Sequence, residues 1–180
     1  MKPNVIFFMI DSFSANKFYG KEKSSITPTI DNLISKGSYF QQAISVASTT
    51  VPSYSSVLTG LYPFQCVEKK QNIILMDTTL QTFIEKFENN DYDIYAELPE
   101  IIAISGLNKI FKNHNTFDTF STLYDNVGHT INKKLTSLTE PWFYYIHLMD
   151  LHGAAKNHDN DELNKFSNEK FGKNSYEQMV

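Results

Sequence analysis

The stretch "PNVIFFMIDS", residues 3–12, decides the fold. A continuous apolar run, Val5 to Ile10, lies between Pro3 and the polar pair Asp11-Ser12. A run this short and this apolar predicts a strand buried on both faces, of the kind found inside parallel sheets. Its polar end places a carboxylate and a hydroxyl at the strand's C-terminus, where open α/β sheets gather ligands.

Moving outward, "TPTIDNLISKG" (27–37) reads as a helix. Thr27 caps it, Pro28 suits its first turn, Ile30, Leu33 and Ile34 share one face, and Gly37 stops it. "SYFQQAISVA" (38–47) predicts a strand. Val51 to Leu58 predicts a short helix ending at Gly60. Thr78 to Asn89 predicts another, with Leu80, Phe83, Ile84 and Phe87 as its apolar stripe. "YDIYAEL" (92–98) is a strand candidate, and Asn108 to Asn113 a short helix or turn. "FDTFSTL" (117–123) has no clear assignment. A helix is expected over Val127 to Leu138, broken before Pro141, and then a second largely apolar strand, "WFYYIHLMDLHG" (142–153). Lys156 to Asn174 reads as a polar loop, and "SYEQMV" (175–180) as the start of a helix. Strands alternating with helices predict an α/β fold, a mainly parallel sheet flanked by helices.

Composition narrows the function. At 180 residues the chain fits one domain, and 41% hydrophobic with 14% aromatic residues is enough to build a core. Sixteen basic against 20 acidic residues give a net charge of -4, which argues against nucleic acid as a partner. Cys66 is the sole cysteine, so neither an internal disulfide nor a thiolate metal cluster is available. The N-terminal apolar run is too short to span a bilayer and lacks a small-residue cleavage site, so a cytoplasmic protein is expected.

Three segments carry candidate chemistry. Asp11 reads either as a turn cap or as a hard oxygen ligand for a divalent ion. "STTVPSYSSVLTGLYP" (48–63) crowds hydroxyls around a helix. Thr50 reads as its N-cap with Pro52 in the first turn. A hydroxyl there also faces the positive end of the helix dipole, where a phosphate or sulfate would settle, and a neighbouring metal would make it a nucleophile. His147, Asp150 and His152 gather around the end of the last strand. His152, before Gly153, is expected to be the most exposed towards a ligand, and His147 reads as a hydrogen-bonded core histidine. His114, His129 and His158 are placed in loops or on helix surfaces.

Taken together, "PNVIFFMIDSFSANKFYG", "TPTIDNLISKGSYFQQAIS", "TTVPSYSSVLTGLYP", "TTLQTFIEKFENNDYDIYAEL" and "PWFYYIHLMDLHG" resemble, in order, the opening of the sulfatase family of the alkaline-phosphatase superfamily. The resemblance implies a metal-assisted hydrolase or transferase acting on sulfate or phosphate esters of small molecules, glycans or lipids. Aligned on "PS" and "LTG", the nucleophile position falls on Thr50. The resemblance puts Asp11 at the first metal-binding Asp, Thr50 beside the same metal (Ca, Mg or Mn), and Ser53 and His152 at the substrate. Four features depart from the family pattern. Thr50 is not the Cys or Ser that becomes formylglycine, Tyr54 replaces an Arg, Ser12 replaces a second Asp, and "YAELPEIIAIS" stands near the place of "GKWHLG". These favour the Thr-nucleophile branch that works on phosphoesters. Further ligands in an Asp-His-Gly motif are expected beyond residue 180. Residues 1–180 are therefore expected to be the N-terminal portion of a sulfatase-like catalytic domain, completed by a second chain or a missing C-terminal half. The alternative is a non-catalytic remnant or binding module.

Overall fold

The computed structural model describes residues 2–154. In chain order its elements are β1 (Val5–Ile10), α1 (Ala15–Phe18), α2 (Pro28–Lys36), α3 (Thr50–Thr59), α4 (Pro63–Cys66), β2 (Val67–Lys70), β3 (Ile73–Met76), α5 (Ile84–Glu88), β4 (Asp93–Pro99), α6 (Glu100–Ile102), α7 (Asn108–Ile110), β5 (His114–Phe117), α8 (Gly128–Leu135), β6 (Trp142–Leu148) and α9 (Asp150–Ala154). π-helical turns cover Ala103–Leu107 and Leu123–Val127. The chain divides into two compact units, 1–9 with 45–148 and 10–44 with 149 onward. The loop expected over Lys156–Asn174, with His158, and the helix start expected at 175–180 lie outside the described residues. Among the described residues no helix is long and apolar enough to cross a membrane.

The first unit holds a four-stranded sheet in the order β1-β6-β4-β5. β4 runs parallel to both neighbours, with Ala96 opposite His114 and Ile94 opposite Phe143. This is the expected α/β architecture. Phe143, Tyr144, Tyr145 and Ile146 of β6 are fully buried, as an apolar run in an interior strand requires. On one face Phe87 lies 4.6 Å from Phe143, Phe7 5.7 Å from Tyr145 and Phe111 4.8 Å from Tyr145, between ring centroids. Such pairs each add about 0.5–1.5 kcal/mol beyond the area they bury. On the other face α8 sets the Lys134 ammonium 4.4 Å from the Tyr95 ring centre. Glu97 is buried there, and its Oε1 accepts from the Tyr144 hydroxyl at 2.6 Å and from Asn115 Nδ2 at 2.9 Å. Those bonds offset the cost of burying a carboxylate.

Several elements depart from expectation. β1 is not buried on both faces: Phe7 packs inward, while Ile6 is 41% and Phe8 53% exposed. The strand lies at the sheet's edge, with β6 as its neighbour among the described residues. β2 and β3 form an antiparallel hairpin that is not among the elements expected from the sequence. Gln71 and Asn72 turn it, with φ of 48° and 68°. The helix expected from Thr78 shrinks to α5, because the Asp77 carboxylate accepts from the Thr79 amide at 3.0 Å and its hydroxyl at 2.6 Å. That local turn competes with helix. β5 is a strand, so His114 lies in a strand rather than a loop, with Nδ1 2.7 Å from the Phe111 carbonyl. α8 closes early, where Thr136 and Ser137 donate hydroxyls to the Lys133 and Lys134 carbonyls.

The second unit contains α1, α2 and α9. α2 begins after Thr27 and ends before Gly37, as its sequence predicts, but none of its residues is buried and Leu33 is 64% exposed. The strand expected over 38–47 is irregular chain. There Tyr39 packs against Tyr19 at 4.1 Å, and Gln41 Nε2 donates to the Tyr19 hydroxyl at 2.9 Å. Side-chain contacts take the place of a strand ladder.

Candidate functional site

The site is built around the start of α3. Thr49, with extended backbone (φ -127°, ψ 152°), occupies the cap, so Thr50 is the first helical residue rather than the cap. Pro52 falls in the first turn, where its missing N–H costs no helical bond. Pro52, Tyr54, Ser55, Ser56 and Leu58 face the interior. Ser105 Oγ donates to the Ile102 carbonyl at 2.7 Å, which leaves it to accept from the Tyr54 hydroxyl, also at 2.7 Å. Burial pushes the Tyr54 phenol up to about 12, against the lowering effect of the Ser105 bond. At its far end α3 closes on Gly60 in the left-handed conformation, φ 74°, with the Gly60 amide bound to the Ser56 carbonyl at 2.8 Å.

Thr50 is half-buried at the start of this anchored helix. Ser53 lies one turn further on, also half-buried, with its amide on the Thr49 carbonyl at 3.1 Å and its Oγ 3.5 Å from Ser45 Oγ. The helix start carries partial positive charge, and with hydroxyls beside it this is suited to an anion. Tyr54, which takes the place of the motif's Arg, is buried and meets His147 edge-on at 6.2 Å. It anchors the helix instead of offering a charge to solvent. His147 is fully buried with Nδ1 2.9 Å from the Tyr145 hydroxyl, a hydrogen-bonded core histidine as its position in the strand predicts.

Thr50 and Ser53 share one helix turn, and Asp11 and His152 belong to the other unit. Asp11 is half-buried in the turn that follows β1, and Ser12 makes that turn sharp with φ 60°. His152 is half-buried inside α9, its amide donating to the Met149 carbonyl at 3.0 Å. The turn expected at Gly153 is therefore helix. Asp11 has the right chemistry for one ligand of a divalent ion. Among the described residues no group of three or more His, Cys, Asp or Glu side chains comes together. Sequence reasoning also passed over Glu97. A carboxylate inside the apolar "IYAEL" signals a buried polar partner, and that partner is Tyr144, whose phenol is raised by burial first and by Glu97 second.

A mainly parallel sheet with helices, hydroxyls opening a helix and a carboxylate closing a strand define an α/β domain of the type that places its chemistry at strand ends. The sulfatase family profile matches residues 3–178, and the chain belongs to the sulfatase family. An N-acetylgalactosamine-6-O-sulfatase from Bacteroides thetaiotaomicron is 30% identical over 97 residues, which is 51% of this chain and 19% of that protein. An ulvan-active sulfatase from Formosa agariphila is 36% identical over 66 residues, 36% of this chain and 13% of that protein. Human arylsulfatase H is 36% identical over 66 residues, 36% of this chain and 12% of that protein. The matches thus span less than a fifth of these relatives' lengths. Among solved structures, the C-terminal periplasmic domain of phosphoethanolamine transferase EptC from Campylobacter jejuni superposes with a TM-score of 0.63 at 12% identity. That match covers 99% of this chain and 59% of the other. It supports the alkaline-phosphatase-like fold.

Proposed function

We propose that residues 1–180 are the N-terminal portion of a sulfatase-family catalytic domain that hydrolyses or transfers sulfate or phosphate esters, with Thr50 as the nucleophile. The observation that carries this reading is the placement of Thr50 as the first residue of a ten-residue helix held from behind by buried Tyr54. In the reaction, Thr50 Oγ1 forms a bond to the sulfur or phosphorus of the ester as the bond to the leaving alcohol breaks. The hydroxyl proton passes to solvent, and the leaving oxygen takes up a proton. Water or an acceptor alcohol then displaces Thr50 and restores its hydroxyl. The positive end of α3 stabilises the oxygens of the anion throughout. Ser53 is assigned to the same anion. His152, by its place in the family's order of motifs, is assigned to binding it or protonating the leaving oxygen. Asp11 would supply one carboxylate to a divalent cation, whose family chemistry is to polarise the ester. The remaining ligands are assigned to polypeptide outside this chain.

The test compares the complete protein that carries this domain with its Thr50→Ala variant on aryl phosphate and aryl sulfate esters, with Mg²⁺, Mn²⁺ or Ca²⁺ present. Turnover by the first and loss of at least about a hundredfold in the second is expected. Equal turnover in both rejects Thr50. A second reading, a binding module that keeps part of the fold, draws on the scattered metal-ligand types among the described residues. Binding of an aryl sulfate or phosphate that survives Thr50→Ala, without turnover under any of the three ions, would favour it.

A further inference from the structure

The carboxyl edge of the sheet carries an apolar patch beside α3. Pro99 ends β4 opposite Phe117, the end of β5, so the two segments leave the sheet side by side. They stay joined there, because the Ile101 amide donates to Thr119 Oγ1 at 3.1 Å. From Ile101 to Leu107 the residues that stand in solvent are both isoleucines, Ile101 at 49% and Ile104 at 72% exposed. Phe120, next to Thr119, is 80% exposed, in a turn fixed by its own amide on the Asp118 carboxylate at 2.9 Å. Apolar residues scattered singly over a surface need no explanation, but a group of them on neighbouring backbones marks a place that meets something apolar.

The position of the patch indicates its occupant. Ile104 adjoins Ser105, whose hydroxyl accepts from Tyr54 at 2.7 Å. Thr50 and Tyr54 stand one helical turn apart in α3 and so share a face of that helix. The face that carries Thr50 is therefore the one laid against the turn over Ala103–Leu107. We propose that Ile101, Ile104 and Phe120 form the site for the alcohol part of the ester, and that this alcohol is apolar, an aryl or alkyl group and not a sugar. This rests on the reading of Thr50 as nucleophile and adds the class of substrate. The isoleucine and phenylalanine side chains offer no hydrogen bond to sugar hydroxyls, whose burial against them costs free energy. An aryl or alkyl group instead sheds water together with them. Glu100, exposed beside Ile101, also repels the further charges of a polyanionic glycan.

Binding is measured by titration calorimetry on the complete protein that carries this domain, with Thr50→Ala in place to prevent turnover and Mg²⁺, Mn²⁺ or Ca²⁺ present. The probes are 1-naphthyl sulfate and 1-naphthyl phosphate against glucose 6-sulfate and glucose 6-phosphate. For either anion the naphthyl ester is expected to bind about tenfold or more tightly than the glucose ester. Ile104→Asn and Phe120→Ser are each expected to lower that preference by about fivefold or more. Neither should move the urea-unfolding midpoint, because both side chains are exposed. Phe64→Ser removes an equally exposed aromatic in α4, beyond the far end of α3, and should leave the preference as it is. Equal or tighter binding of the glucose esters overturns the proposal. So does a preference that survives both substitutions, or one that Phe64→Ser lowers as much as they do. Turnover has no part in this measurement, so the activity comparison with Thr50→Ala tests the nucleophile separately.

Discussion

At Gly106 a single methyl group decides whether the turn after β4 closes. Its φ is +128°, a conformation that L side chains rarely adopt, and an added Cβ would lie 3.1 Å from both Met76 Cβ and Thr78 Cγ2. Met76 Cβ is rooted to its backbone and cannot swing away. The preceding residue is Ser105, the partner of the Tyr54 hydroxyl, so strain here reaches the anchor of α3. Gly106→Ala is expected to cost about 2–4 kcal/mol in urea unfolding and to speed hydrogen exchange in α3. An unchanged midpoint would show that the turn relaxes freely. Thr50 presents the opposite case. It is half-buried and opens its helix next to an independent cap, so Thr50→Ala is expected to cost about 1 kcal/mol or less. A larger loss, measured by the same unfolding assay, would mean that missing activity reports folding rather than chemistry.

At the scale of the element, the β2–β3 hairpin makes its own case. Both turn residues, Gln71 and Asn72, have positive φ, which is the type I′ geometry that matches strand twist. Asn-Gly is the favoured pair for that turn, so Asn72→Gly is expected to stabilise by about 0.5–1 kcal/mol and Asn72→Val to destabilise by a similar amount. Urea midpoints that move the same way in both would contradict the turn assignment. The hairpin also shows where sequence reading ran out. β1, α2, α3, β4 and β6 were legible because continuous apolar runs, cap residues and a terminal glycine each act within a few residues. The segment 38–47 has strand-like composition, but no ladder partner reaches it, and no local pattern reports that. β5 has a polar composition and exists because β4 lies alongside it. In the site, Thr50 at a helix start was legible from its hydroxyls and Pro52. The inward turn of Tyr54 was not, since it depends on Ser105, distant in sequence. Nor was the pairing of Glu97 with Asn115, which follows from the β4–β5 register.

For the whole molecule, the buried phenols tie folding to alkaline pH. Tyr54 titrates near 10 when unfolded and at about 12 when folded, with burial as the main cause. Tyr144 moves in the same direction, by burial and then by the Glu97 carboxylate on which its hydroxyl is spent. Below pH of about 10 both states keep these protons, and the stabilisation is fully present. As pH rises from about 10 to about 12, the unfolded chain loses the Tyr54 proton while the folded chain keeps it. The unfolded state then binds fewer protons, so stability falls with rising pH. For Tyr54 alone the fall amounts to roughly 2–3 kcal/mol across that window. Tyr54→Phe is expected to flatten the decline by that amount. At neutral pH it should cost about 1 kcal/mol, through the lost bond to Ser105. The measurement is the urea-unfolding free energy of both proteins at pH of about 9, 10 and 11. Parallel lines for the two would show that Tyr54 does not link proton release to unfolding. Convergence as pH rises would show that the phenol holding α3 in place from behind is also one through which alkali loosens the fold.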